Sequence, residues 1–500
     1  MSASPVRGAG APPPLGIPLK FSYGLGSVAN GVITAALGGS ILQLYFNQVL
    51  GVPAILVGAA IMVSLIADVI LDPLIGYWSD HFRSRWGRRH PFMYASALPA
   101  AVFLYLIWHA PQGLEPGETM ALAVVMLVGL RISVASYDIA SSALAPELAP
   151  DYNERTGLIA YRIFFGIASI AVVSILLYTV FLRQDAANPL GVLNGARYAQ
   201  FASVFSVVVF VCIMASTAAT HGRIQYLHQP AAVVMSARQI VREVLSAITH
   251  KGLVVVMASG LLGGAGAGVT SALSSYFYLH LWHLKSQAIG PLSGGGLLAS
   301  VIGIVLAPLI ARRFGKKTAM ILLMTISVVT GLLPIAGWLL GVIPANGSSL
   351  VYGLLFADVV VAGALGLMGV VILHSMIADV ATDHAAQSGA RSEGLLFAAN
   401  GLVSKFTLGF GAFVGGAILT FVGFPAHAVP GTVDPAIVRH LALLYLPCLV
   451  VFNGGSVAVL LFYGLDRQAH ERNLERLSEA AAMADETGLT ADPAATVQRI

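Results

Sequence analysis

The chain has 500 residues, of which 57% are apolar and only 10% are charged, and its formal net charge is +4. Its mean hydropathy of +0.82 excludes a water-soluble globular protein, in which about 25% of residues are charged. The small net charge gives no reason to expect a nucleic-acid partner. Cys212 and Cys448 both lie in apolar segments, so there is no disulfide framework and no zinc spacing. The composition indicates a polytopic membrane protein.

Twelve apolar segments are long enough to cross a bilayer, which takes about 20 helical residues. We predict them at 21–48, 53–80, 91–110, 118–146, 157–183, 198–219, 252–281, 286–312, 317–341, 349–378, 394–423 and 436–465. They form two sets of six, which predicts an all-α membrane protein with a six-helix bundle in each half.

The remaining segments are polar or lack a packing pattern. Residues 1–19 have no signal-peptide core and are predicted to be a disordered tail. The first bundle then covers 20–219 and the second 252–465. The connecting loop, 220–251, contains an amphipathic stretch at 232–249 that we expect to lie on the inner membrane surface. Residues 466–500 form a C-terminal tail, with a short soluble helix before a disordered end.

Basic residues predict the orientation of the chain, because inner loops carry an excess of Lys and Arg. Of the 27 Lys and Arg, twenty fall on the side of both termini and three lie inside the segments. The outer loops hold only Arg183, Arg197, Lys285 and Arg439. This asymmetry predicts a protein of the cytoplasmic membrane with both termini cytoplasmic.

The two halves repeat one pattern. The second segment ends in PLIGYWSDHFRSRWGRR (73–89), and the eighth ends in PLIARRFGKK (308–317). Each has Pro-Leu-Ile followed by a basic turn that closes with Gly and two cations. Asp72 precedes the first Pro, whereas Ala307 precedes the second. The sequence pattern is therefore duplicated, but the acid is present only in the first half. This favours a transporter whose two repeats move relative to each other and whose ion site lies in the first half.

Asp68 and Asp72 stand four residues apart in the second segment, so a helix places both carboxylates on one face. An acid at a bilayer centre costs about 2.5–3.5 kcal/mol unless it meets water, a cation or a partner. We interpret the pair as a site for sodium or a proton in a solvated cavity; the alternative is a structural ion pair with a distant cation.

Five other ionisable residues fall within the segments and are functional candidates by default. Asp138 could complete the cation site, contact substrate or only neutralise Arg131, seven residues earlier. Arg162 could grip a hydroxyl pair or a carboxylate, or snorkel to the inner surface. Lys405 lies too deep to snorkel and could pair with an acid across the cavity or contact substrate. Asp358 has no assigned role.

Loop motifs add a second candidate network and exclude enzymatic chemistry. Asp80 and the cations Arg83, Arg85, Arg88 and Arg89 are predicted to hold helices together on the inner face and to gate it. The sequence has no phosphate-binding glycine loop, nucleophile elbow or metal-ligand cluster, so we expect neither an enzyme nor a cofactor beyond the coupling ion.

These residues resemble the glycoside–pentoside–hexuronide:cation symporters, a melibiose-permease-like branch of the major facilitator superfamily. The resemblance covers about residues 20–465 and rests on the segments Ser22–Gly26, Ala67–Asp80, Arg83–Pro91, Pro146–Arg162 and Arg391–Gly394 and on Lys405. It implies that twelve helices surround a central cavity in two six-helix pseudo-repeats. It also implies that Asp68 and Asp72 bind the coupling cation, that Asp138 contacts sugar, and that Arg162 and Lys405 are site residues.

The chain departs from the family at the sugar. Asn30 and Gly31 stand where melibiose permease has a Lys-Asp pair, Ser142 replaces a sugar-stacking tryptophan, and Ala135 replaces a cation-binding threonine. Asn30, Ser142 and Tyr137 are the predicted replacements that contact substrate. The resemblance implies a monomeric, lipid-embedded symporter of a sugar or glycoside. The alternatives are a cation-coupled carrier of a lysolipid or other amphiphile, a passive channel, and a membrane enzyme or receptor.

Overall fold

The computed structural model describes residues 15–111, 113–149, 151–186, 188, 191–226, 251–344, 346–388 and 393–464. The predicted amphipathic stretch at 232–249, the tail at 466–500 and most of the N-terminal tail lie outside these residues. Within them the regular secondary structure is helical, apart from one isolated β-bridge between Asp185 and Asn188, and turns and irregular loops join the helices.

The first half contains the helices α1 (Ile17–Leu25), α2 (Ser27–Ala36), α3 (Gly39–Gln43), α4 (Ala54–His81), α5 (His90–Ile107), α6 (Pro116–Leu148), α7 (Tyr152–Leu176) and α8 (Gly195–His221). The second half contains α9 (Lys251–Tyr276), α10 (Ser286–Phe314), α11 (Lys316–Leu339), α12 (Ser349–Ser388), α13 (Glu393–Phe421), α14 (Pro435–Leu449) and α15 (Gly455–Leu460). Wider π-helical turns extend α3, α7 and α9 and join α14 to α15. We call these two groups the first and the second bundle.

Eleven spans in the described residues are long and apolar enough to cross a membrane, and a bent pair over Ile17–Ala36 and Ser40–Val49 makes a twelfth if it counts as one span. The predicted all-α, twelve-helix architecture is confirmed. The predicted helix over 21–48 is not continuous, because the chain leaves helical geometry at Leu37 and Gly38 and turns by 47°. Two consecutive glycines, Gly38 and Gly39, have little helix propensity, which explains the break.

Several helix boundaries differ from the predictions by a few residues, and two of the differences have a clear local reason. The helix α6 begins at Pro116, two residues early, because Glu115 and Glu118 form a capping box and proline is favoured in a first turn. The helix α12 runs to Ser388 instead of ending at 378. Residues 379–388 contain neither Gly nor Pro, and Gly389 is the next such residue, so the helix continues beyond its apolar span.

The bundles meet along α4 and α13, and glycines allow the approach. A Cβ atom added to Gly58 would lie 2.7 Å from the carbonyl oxygen of Ala412, and one added to Gly416 would lie 2.4 Å from that of Ala54. Within the second bundle, α9 and α13 cross as closely, since a Cβ at Gly411 would lie 2.3 Å from the carbonyl oxygen of Ala265. Small residues at such crossings let helix backbones touch in a membrane.

We expect Gly411→Ala to destabilise the protein by about 1–3 kcal/mol, because the new methyl overlaps backbone that cannot move aside. A thermal denaturation curve of the purified protein measures the effect. Gly401→Ala in the same helix is the matched control, since a Cβ there meets nothing within 4 Å. The control should be neutral or slightly stabilising, and equal losses in both variants would contradict the packing argument.

Candidate functional site

A hollow of about 550 Å³ lies between the two bundles at the middle of the helices. Helices α2, α4 and α6 form one wall, and α9 and α13 form the other. Ile33, Leu65 and Leu408 make part of its lining apolar. Its charged and polar side chains include Asn30, Thr34, Asp68, Asp72, Arg131, Asp138, Ser271 and Lys405.

The paired acids of α4 face this hollow, as their spacing predicts. Asp68 is buried and only 6% exposed, whereas Asp72, one turn further on, is half-buried. Helix α4 continues through Pro73 and keeps both carboxylates on one side. The two acids therefore line one wall of the hollow and do not face the acyl chains of the bilayer.

Each of these acids has a cationic neighbour. The Nη1 of Arg131 donates to Asp68 Oδ2 at 2.7 Å, and its Nε donates to the Ser64 hydroxyl at 3.1 Å. The Lys405 ammonium donates to Asp72 and lies 3.5 Å from Asp68 Oδ2. Lys405 comes from the second bundle and the acids from the first. The position of Lys405 therefore agrees with the prediction that it pairs with an acid across the cavity.

Asp138 pairs with Arg162, not with Arg131. The Nη2 of Arg162 lies 2.5 Å from Asp138 Oδ1, and Nη1 lies 3.4 Å from both the Tyr23 hydroxyl and the Ser141 hydroxyl. The alternative in which Asp138 only neutralises Arg131 is therefore wrong. Arg162 also does not snorkel, because its guanidinium turns inward to α6. Of this pair, Asp138 lines the hollow at its end nearer the basic loops, whereas Arg162 lies behind Asp138 and is not a lining residue.

Of the residues predicted to replace the family's sugar contacts, one lines the hollow and two do not. Asn30 lines the hollow and is exposed to it. Ser142 lies one turn beyond Asp138, exposed, and bonds the Asp138 carbonyl at 2.6 Å without lining the hollow. Tyr137 points away: it is 2% exposed and donates to the Ser216 hydroxyl inside the first bundle at 2.8 Å. The prediction that Tyr137 contacts substrate is not supported, because neighbouring residues on a helix point about 100° apart.

The basic loop after α4 forms part of the predicted network and adds an acid that the sequence analysis missed. Arg89 bonds Asp80 at 2.9 Å and Glu147 at 2.8 Å, and Arg88 bonds Glu147 at 2.7 Å. Arg83 and Arg85, the other two predicted members, are exposed to solvent. Glu147 lies in the segment Pro146–Arg162 on which the family resemblance rests, directly after Pro146, and this position could have indicated it.

The second bundle repeats this arrangement. Lys316, from the basic turn after α10, donates to both carboxylate oxygens of Asp379 near the end of α12 at 2.7 Å. Helices α6 and α12 are the fourth spans of their respective bundles. The repeated basic turn therefore has the same structural role in both halves, because its cations bind an acid near the end of the fourth span.

The bundles are closed at the end opposite the basic loops. Tyr276 of α9 donates to Asn47 at 2.9 Å, and Gln48 bonds the carbonyl of Pro425 and the N–H of Ala428. Among the described residues, the hydrogen bonds that join the two bundles are formed either by Lys405 or by residues between Lys405 and this closed end. The hollow is thus sealed at this end.

Comparisons with known proteins agree with this architecture. The family model for MFS/sugar transport proteins matches residues 22–467. An isoprimeverose transporter of Lactiplantibacillus pentosus is 26% identical over 455 residues, covering 90% of this chain and 88% of its own. A putative glycoside/cation symporter of Escherichia coli is 23% identical over 454 residues, covering 89% and 91%.

Solved structures show the same fold. The crystal structure of a D-xylose-proton symporter has a TM-score of 0.59 at 16% identity, covering 89% of this chain and 96% of that one. A nucleoside transporter, NupG, has a TM-score of 0.59 at 16% identity, covering 88% and 98%. The fold is that of the major facilitator superfamily, in a multi-pass membrane protein. The chain belongs to the MFS/sugar transport protein family.

Proposed function

We propose that the protein couples the entry of a cation, sodium or a proton, to the uptake of a sugar or glycoside by alternating access. The single observation that carries this proposal is the Lys405–Asp72 ion pair. It joins the two bundles at the wall of the hollow, and a free cation can compete with Lys405 for Asp72. A competing cation that loosens a bond between two moving bodies links ion binding to their motion.

The proposed cycle follows from these charges. A cation at Asp72 releases Lys405, so the bundles lose their central ionic contact and can reorient. Substrate binds in the same hollow, against the Asp138–Arg162 pair and Asn30. Once the cation has left, Lys405 returns to Asp72 and neutralises the empty carrier for its return. A bare carboxylate there would instead carry a charge penalty of a few kcal/mol.

The sugar class rests on the relatives and on the lining. The relatives are named for isoprimeverose and for glycosides, and the lining of the hollow offers an amide at Asn30, hydroxyls at Thr34 and Ser271, and two ion pairs. Such groups suit a polyhydroxylated substrate. We place the basic-loop end in the cytoplasm, following the distribution of Lys and Arg. The protein would act as a monomer in the cytoplasmic membrane, and transport would be its activity, not catalysis.

Proteoliposomes test the coupling. Asp72→Asn is expected to abolish gradient-driven accumulation of the transported sugar while leaving counterflow, because exchange needs no net coupling. Asp434→Asn is the matched control, since Asp434 caps α14 far from the hollow and Asn caps a helix equally well. Full accumulation by Asp72→Asn would overturn the proposal.

A thermal-shift panel of sugars and lysolipids identifies the substrate class, and a shift with lysolipids alone would favour the amphiphile carrier.

A further inference from the structure

We propose that Arg131 is a tethered cation that occupies the ion position at Asp68 and so keeps sodium from binding there. This inference rests on the proposed function and refines it, because it names the residue that sets ion selectivity. The coupling ion would then act at Asp72 alone, and sodium would not be that ion.

The contacts of Arg131 show that it fills the position of an ion. Its Nη1 lies 2.7 Å from Asp68 Oδ2, the oxygen that a bound cation would share, and the Asp68 side chain is only 8% exposed. Lys405 approaches the same oxygen to 3.5 Å. Two positive groups therefore already surround one buried carboxylate. A third would be repelled strongly in a site with little water.

The oxygen atoms that sodium would need around Asp68 are also engaged. The Ser64 hydroxyl, one turn earlier on α4, accepts from Arg131 and donates to the carbonyl of Ile61 at 2.8 Å. On the facing helix α6, Val134 and Ala135 line the hollow beside Arg131 and carry no side-chain oxygen, and the carboxylate of Asp138, which also lines it, is already paired with Arg162. Hard cations bind through several oxygen ligands, and Asp68 alone cannot supply them.

A covalently held cation also has a concentration advantage over a dissolved one. The guanidinium is fixed to α6 and oriented by Ser64, so it binds Asp68 as an intramolecular partner at high effective concentration. Unlike Lys405, it comes from the same bundle as the acid. It therefore stays with Asp68 when the bundles move, whereas the lysine is positioned to part from Asp72.

The test compares sodium with choline at equal ionic strength, by thermal shift of purified protein and by uptake into proteoliposomes. Wild type is expected to respond equally to both salts. Arg131→Gln frees Asp68 and is expected to gain a sodium-specific thermal shift and a stimulation of uptake of about 5-fold or more, a typical size for coupling between sites. Arg131→Lys keeps a tethered charge and should stay insensitive to sodium.

The double variant Asp68→Asn/Arg131→Gln locates the new site, because it should lose the sodium response that Arg131→Gln gains. It also removes both charges of the pair, so it is expected to fold even if Arg131→Gln does not. In that case Arg131→Ser supplies the sodium-responsive variant. A sodium response in wild type, or none in a folded Arg131→Gln or Arg131→Ser, would overturn the inference. Sugar counterflow without an ion gradient separates the two proposals: its absence in wild type would instead reject the proposed symport.

Discussion

Replacing Arg162 with alanine is expected to weaken sugar binding by about 10–10²-fold, the size expected for the loss of a hydrogen bond to a charged group. The guanidinium is the partner of Asp138 and lies near two hydroxyls. Removing it leaves the Asp138 carboxylate, whose side chain is 36% exposed, at the hollow without its cation and without the donors that orient it. Equilibrium binding of the transported sugar to purified protein measures the change.

Arg162→Lys separates charge from geometry. Lysine keeps the positive charge but cannot reach Asp138, Tyr23 and Ser141 with one planar group. We expect this variant to regain thermal stability while sugar affinity stays at least about tenfold below wild type. If lysine restores full affinity, only the charge at this position matters, and the role that we assign to the guanidinium fork is wrong.

Glu147→Gln is expected to lower the stability of the protein by about 3 kcal/mol. Glu147 is 11% exposed and bonds both Arg88 and Arg89, and the Arg89 side chain is 8% exposed. Loss of the carboxylate charge leaves the buried Arg89 without its buried partner. Removing one member of a buried ion pair is strongly destabilising, because the remaining charge stays buried and uncompensated. The midpoint of thermal unfolding reports the change.

Asp80→Asn is the matched control, because Asp80 bonds the same arginine at 2.9 Å but its side chain is 50% exposed. An exposed ion pair contributes only about 0–1 kcal/mol. The two neutralisations should therefore differ clearly in melting temperature. Equal shifts would mean that burial does not decide the strength of this network.

The fold was predictable because spans of about 20 apolar residues and the bias of basic loops are strong signals. The shared face of Asp68 and Asp72 also follows from helical spacing alone. Within α6, seven residues put Arg131 and Asp138 on one face, but they stand about 10.5 Å apart along the axis. That distance is too long for a direct pair, so both side chains bind partners on other helices.

The pairings themselves depend on how helices dock, and this was not readable from spacing. Asp72 and Lys405 are 333 residues apart in the chain, and only the contact of α4 with α13 brings them together. Arg131 was recognised as a candidate but had no assigned role, because its partners Asp68 and Ser64 lie on another helix. Ser64 stands four residues before Asp68, and that spacing was the available signal.

At the sealed end, amide and phenol side chains supply most of the hydrogen bonds that join the two bundles. The side chains of Asn47, Gln48 and Tyr276 bond each other or backbone carbonyl and N–H groups, and none of these contacts is an ion pair. Dissolved ions screen charges and have little effect on amide–carbonyl bonds. If this end faces the outside, the salt concentration of the medium has little effect on closure of the carrier. The outer end would then close equally well in brackish and in fresh water.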